Sequence, residues 1–400
     1  MPKPSELRST LWDALTSLKL TIACMAALMV LVVACTLAQV RLGTFGAVDA
    51  YMHRWVVWWD VPGSPWSFPI FPGGALVGAV LAVNLFAAQL RRLELAWRKA
   101  GLWIVHAGLI LLVAGEFVTG LYQVETRMAI QEGASANFVE SPRQSELVVV
   151  DTTDPASDDV YGVPESLLAR AGEIPIPGTP VTLRIHGYYP NAALSMRQAS
   201  DPPAAATAGV GTSVAVRELP PVSRDEETNA PTALVEPIAG GRSYGTWLVS
   251  SLLGAPQGFT HEGRTYQLVV RPRRIYLPYT VTLKKFRHDV YPGTNIPKNF
   301  SSLVHLSNPS KGEERDVLIY MNQPLRYEGK AFYQASFGNN DTLSILQVVQ
   351  NPGWLLPYVS CVLVTLGLLV HFAITLRRSM RRQAATRAAA AAPAAVEAST

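Results

Sequence analysis

The sequence predicts an α-helical membrane protein: four transmembrane helices, with a large β-rich extracytoplasmic domain inserted between the third and the fourth. Three observations carry that prediction. The 400-residue chain is 49% hydrophobic and only 16% charged, too apolar for an ordinary soluble protein of this size. Its apolar residues gather in runs at 20–40, 71–90, 100–120 and 354–376, each meeting the roughly 20 residues that a bilayer-crossing helix needs. Between the third and fourth runs the pattern changes to short segments of alternating polarity, the period-two signature of strands.

Residues 1–19 form a mixed N-terminus with Lys3, Arg8 and Lys19, expected in the cytoplasm. It is too long and mixed, and too poor in cleavage-site residues, to introduce a removable signal. Residues 20–120 hold three spans joined by an outer loop, 41–70, and a cytoplasmic loop, 91–99. The cytoplasmic loop carries Arg91, Arg92, Arg98 and Lys99; Arg377, Arg378, Arg381, Arg382 and Arg387 follow the fourth span, 354–376. Lys and Arg beside spans stay inside. Both termini are therefore expected in the cytoplasm of a cell whose inner (plasma) membrane holds the chain, with residues 121–353 on the outer, periplasmic side. The net charge of +4 reflects this bias and implies no nucleic-acid partner.

The outer loop concentrates Trp55, Trp58, Trp59 and Trp66 in "YMHRWVVWWDVPGSPW". Such amphipathic rings form a belt at headgroup level; the alternative is an aromatic platform for a flat ligand or a partner's loop, with His53 as a polar contact. In the exported segment, "SELVVV", "VTLRIHGYY", "TYQLVV", "YTVTLKKF", "RDVLIYM", "KAFYQASF" and "TLSILQVV" read as strands of a sandwich or open barrel. Residues 192–243 are low in bulky apolar residues and rich in Pro, Ala and Thr, and are expected to form an irregular insertion. "SYGTWLVSSLLG" is expected to be a short amphipathic helix. The tail, 377–400, ends in "AATRAAAAAPAAVEAST" and is expected to be disordered.

Cys24, Cys35 and Cys361 lie in predicted spans and the exported segment has none. That excludes a disulfide framework, a CxxC dithiol and a CxxCH haem-attachment site there. No nucleotide loop, zinc signature or nucleophile elbow is present, and no catalytic residue is assigned. His186, His261, His288 and His305 are scattered at no ligand-like spacing and read as structural, with His288 in "KKFRHDVYPGT" the one that invites a further role.

The membrane histidines are different. An ionisable ring at membrane depth is costly and usually faces a partner, a cavity or a ligand. His106 stands six residues beyond Ala100, roughly 9 Å inside the cytoplasmic end of its span. His371 stands six residues before Arg377 on an antiparallel span, so the two rings are expected at one depth. Two neutral imidazoles at one level between helices can ligate haem iron axially; His371 could instead reach the interface beside the arginines, whereas His106 has no such exit. Gly101, Gly108 and Gly115 make a smooth stripe for close helix approach. Gly108 is about 200° round the helix from His106, so His106 is expected to point away from the chain's own bundle.

The span order, together with "LPYTVTLKKFRHDVYPGTNIPKNFSS" (277–302), "NQPLRYEGKAFYQASF" (322–337) and "VVQNPGW" (348–354), resembles the ResB-like (CcsB) family of cytochrome c biogenesis proteins. The resemblance covers nearly the whole chain except the 192–243 insertion and the tail. It implies a non-catalytic or co-catalytic subunit of a cytochrome c haem lyase complex, which moves haem to the outer face for covalent attachment to apocytochrome c. It also implies transient haem b bound jointly with a ResC/CcsA-like membrane partner, His106 matching the family's membrane histidine, and a thioredoxin-like thiol reductant as a further partner. The residues leave two alternatives open: a b-type cytochrome electron-transfer subunit using His106 and His371, and a cofactor-free membrane-anchored interaction module.

Overall fold

The structure, a computed structural model, describes residues 4–61, 63–91, 96–198, 201–223, 228–293, 297–338 and 341–397; the Lys3 and Arg92 charges and parts of the 192–243 insertion lie outside them. The chain divides into two compact units, Val124–Gln350 and, on either side of it in sequence, Met1–Gln123 with Asn351–Thr400.

In the helical unit, α1 (Pro4–Leu15) stops at a break where Ser17 caps α2 (Leu18–Val48), its hydroxyl accepting from the Lys19 N–H. The helix runs on past the end of the apolar run at Val40. Gly43, at φ 70°, kinks α2, a conformation only glycine adopts cheaply, and a π-helical turn carries the chain to His53. A hairpin comes after it, β1 (Val56–Asp60) with β2 (Ser67–Pro72), and leads into the helices α3 (Gly74–Arg91) and α4 (Ala100–Tyr122). Asn84 of α3 is fully buried. Its amide accepts from the Thr21 hydroxyl at 2.6 Å and donates to the carbonyls of Leu15 at 2.6 Å and Ser17 at 3.2 Å, which satisfies backbone groups that the α1–α2 break exposes. Arg91 fastens α1 from the same helix through Asp13, at 2.6 Å.

The sheet unit begins with β3 (Val124–Gln131), which turns into β4 (Ser135–Asp151); the far half of β4 pairs with β5 (Asp159–Pro164). A one-turn helix, α5 (Glu165–Leu168), leads to β6 (Gly172–Pro175) and β7 (Val181–Tyr189), then to the hairpin of β8 (Ala192–Met196) and β9 (Val214–Glu218). β10 (Thr232–Ala239) pairs with β7, β11 (Arg242–Ser243) and β12 (Trp247–Ser250). β13 (Gln257–His261) folds back on the 27-residue β14 (Arg264–Val290). Then come β15 (Pro297–Asn308), β16 (Glu313–Tyr320), β17 (Leu325–Tyr327), β18 (Lys330–Gly338) and β19 (Leu343–Gln350), which returns to pair with β3.

Two cores result. Leu277, Tyr279, Val281 and Leu283 alternate inward from β14 to meet Met128, Val304, Phe332 and Leu346. Tyr266, Leu268 and Val270, earlier on the same strand, pack with Leu147, Val149, Leu183 and Val235. β4 and β14 thus serve both cores. Between the two stretches of β14, register shifts at Pro272 and beyond Tyr276 coincide with ion pairs from Arg271 to Glu146 and from Arg274 to Glu140.

Three expectations are corrected. "SYGTWLVSSLLG" is not a helix: Trp247–Ser250 is a strand whose Leu248 and Val249 are buried. The 192–243 insertion is not irregular throughout, since β10 within it is a central strand of the five-stranded sheet. The fourth span, α6 (Leu356–Glu397), continues as helix through the tail expected to be disordered, consistent with the high helix propensity of alanine. Leu18–His53, Gly74–Arg91, Trp97–Tyr122 and Leu356–Arg387 are long and apolar enough to cross a membrane.

Candidate functional site

The site is built on α4, and glycines decide how α4 sits. A Cβ placed on Gly101 would lie 2.4 Å from the backbone nitrogen of His371 and 2.7 Å from the Gly367 carbonyl oxygen. At Gly108 it would meet the Val364 side chain at 2.8 Å, and at Gly115 the Leu356 Cβ at 2.8 Å. These glycines are the buried residues of α4, so the predicted smooth stripe is the seam with α6, the two backbones nearly touching as small residues permit.

His106 is on another face. It is exposed, and its Nδ1 lies 2.7 Å from the Leu102 carbonyl oxygen one turn back. A carbonyl can only accept, so Nδ1 is the donor, and a neutral ring with this bond has its lone pair on Nε2. A backbone hydrogen bond that fixes tautomer and ring orientation in this way is the usual support of a metal-bound histidine. An imidazole held in this way could offer Nε2 to a metal ion, and no second donor stands with it among the described residues.

His371 is not its counterpart. Its backbone lies against Gly101 in the seam, five residues, or about 7.5 Å of helix rise, below His106. The backbones of the two histidines, expected at one depth, are thus offset along the seam. Nδ1 of His371 is buried without a hydrogen-bond partner.

The sheet histidines are engaged locally. His186 Nε2 lies 2.8 Å from Glu236, His261 Nδ1 2.8 Å from the Tyr244 hydroxyl, and His305 Nδ1 2.7 Å from Asp316. His288 bonds Asp341 at 3.1 Å and lies tilted against Phe337, centroids 4.3 Å apart, with Nε2 buried. Among the described residues no group of three or more His, Cys, Asp or Glu is placed to hold a metal ion. In the hairpin, Trp55, Trp58, Trp59 and Trp66 are all exposed, and His53 approaches Asp49 at 3.8 Å. Sequence reasoning missed Glu116, an exposed carboxylate on α4 with no hydrogen bond or ion pair among the described residues. A lone acid inside "LILLVAGEFV" was the available signal.

Residues 253–345 match the ResB-like family. This part of the chain is ResB-like. A stretch of 102 residues, 26% of the chain, is 36% identical to Protein NrfI of Wolinella succinogenes and spans 11% of that protein's length. The ResB-like segment contains all of β14 to β18 and most of the first core's inward residues, though not Met128 on β3 or Leu346 on β19. It includes His288 and His305 but neither membrane histidine, so the match bears on the sheet unit and leaves α4 to its own chemistry.

Proposed function

We propose that the chain is a membrane subunit of cytochrome c maturation that carries haem as cargo and presents it for attachment to apocytochrome c. One observation carries the haem reading: the tautomer lock on His106, which leaves Nε2 unbonded on a face of α4 that no helix among the described residues covers. Bound there, haem would bring the vinyl groups that thioether formation consumes. His106 would hold the iron through Nε2, its ring oriented by the bond to the Leu102 carbonyl. The second nitrogen is assigned to a ResC/CcsA-like membrane partner, since His371 is in the seam. The exported segment lacks cysteine, so the thiol chemistry falls to apocytochrome c and a thioredoxin-like reductant. The positive-inside bias orients the sheet unit toward the periplasm, with both termini in the cytoplasm. The b-type cytochrome alternative needs His106 and His371 to face each other, and the offset of their backbones along the seam speaks against it.

The test is purification of the chain with its partner and measurement of the Soret band. His106→Ala should remove haem from this site while the helix persists, because alanine is apolar and helix-compatible, and added imidazole should restore part of the signal. An unchanged spectrum in His106→Ala would overturn the ligand assignment. His371→Ala should leave the band in place. Deletion of the gene with normal c-type cytochromes on a haem stain would end the maturation reading itself.

A further inference from the structure

The open face of α4 carries a second pattern besides His106. Leu102, His106, Leu109, Val113, Glu116 and Gly120 succeed one another at alternating steps of four and three, and every one is exposed. At about 100° per residue these positions fall within about 40° of one line along the helix. Steps of four and three are the spacing by which a helix presents a seam to a second helix. The other seam of α4, through Gly101, Gly108 and Gly115, is already occupied by α6. This one is empty within the chain, and it holds both ionisable side chains of the helix interior.

Glu116 is the informative member. It stands six residues before Tyr122, the last residue of α4, so it is roughly 9 Å inside that end, beyond the reach of a short side chain seeking water. A carboxylate at such depth is costly unless a donor meets it, and no described residue of this chain does so. Glu116 is ten residues from His106, about 15 Å along the axis, so the two groups serve separate contacts on one stripe.

We propose that this stripe is a docking seam for a transmembrane helix of a second, different protein, which presents a basic or hydroxyl donor to Glu116. The charge requirement selects the occupant: lipid tails offer no donor, and a second copy of this chain would bring one carboxylate against another. The proposal deepens the haem-handling reading by locating its partner, and rests on that reading only for the partner's existence.

The test uses the full chain in native membranes with a photo-crosslinking phenylalanine analogue at Val113, and a control at Leu37, exposed on α2. The expected result is an adduct from position 113 that maps to a transmembrane segment of another protein with a Lys, Arg, Ser or Thr at the Glu116 level. Glu116→Leu should lower the adduct about tenfold at equal chain abundance, while Glu116→Gln, which still accepts, keeps most of it. Replacing the mapped donor by Leu should give the same loss. Adducts to this chain alone, to lipid alone, or of equal yield in Glu116→Leu overturn the proposal. The Soret band separates the two readings: His106→Ala that loses the band but keeps the adduct leaves this seam standing, and so does an unchanged band with an adduct that depends on Glu116.

Discussion

The sheet unit and the helical unit treat their polar side chains in opposite ways. In the sheet unit His186, His261, His288 and His305 each have a carboxylate or hydroxyl partner. Fully buried Ser302 and Ser344 bond each other at 2.7 Å, and Ser302 donates to Gln334 at 2.6 Å, linking β15, β18 and β19. In the helical unit the polar groups near the α1–α2 break are satisfied internally, through Asn84 and Arg91, while those on the open face of α4 are not. His106 spends one nitrogen on its own backbone, and Glu116 spends nothing. Satisfied groups hold a fold in place. Groups left open at membrane depth are available to something outside the chain, and this is why recognition is assigned to α4 rather than to the larger, better-packed sheets.

The most severe way to break the contrast is to close the α4–α6 seam. Gly101→Val puts side-chain atoms where the His371 backbone stands, and a backbone cannot swing aside as a side chain can. Overpacking of this kind costs about 1–3 kcal/mol and sometimes more, so most of the chain should disappear from membranes on an immunoblot. Wild-type abundance and melting temperature would show that the helices are not in this contact.

On the sheet side, Ser302→Val leaves Gln334 and Ser344 short of a partner in a dry core. The expected loss is about 1–3 kcal/mol, read as a lower melting temperature of the detergent-solubilised chain. A variant as stable as the parent would mean that the network adds nothing to the packing around it.

A smaller effect concerns acid. The Ser243 hydroxyl, His186 and Arg184 hold the Glu236 carboxyl at about 2, below its ordinary 4.5. A carboxyl depressed by folding contributes stability that is present above its unfolded value and lost as pH falls through its folded one. Melting temperature should therefore decline from about pH 4.5 to about 2 through this group, and Glu236→Gln should flatten that limb. An identical acid limb in the variant would assign the decline to other carboxylates.

The smallest effect sharpens the comparison most. His186, His261 and His305 changed together to Ala lose local partners worth about 1 kcal/mol or less each, and c-type cytochrome levels on a haem stain should stay near normal. Loss of assembly with the protein still present would move recognition into the sheets.

How much could be read from the sequence depends on which signals are local. The four apolar runs and the glycine seam could be read because hydropathy and spacing along one helix need no knowledge of neighbours. The inward face of β14 could be read because Leu277, Tyr279, Val281 and Leu283 alternate without interruption. β10 was hidden because its apolar residues sit inside a Pro- and Ala-rich stretch, and average composition over that stretch outweighs one short strand of mostly buried residues. Trp247–Ser250 has a pattern too short to tell a strand from a helical turn, and pairing with β10 decides it. The depth of His371 was beyond reach because it depends on how far α6 slides along α4, which Gly101 and Gly367 set by backbone contact.

Asn84 has a bearing on how the protein is made. The ribosome delivers α1 and α2 well before it delivers α3, so for a time the carbonyl of Leu15 and the hydroxyl of Thr21 lack the Asn84 amide they meet in the finished fold. During that interval they need water, and the start of α2 must wait at the wet surface of the bilayer while its apolar middle is already threaded. Only when α3 slides in beside it does the amide arrive and allow that end to dry. The side chain that ties the finished helices together thus makes the dry state of the first span's start depend on the arrival of the second.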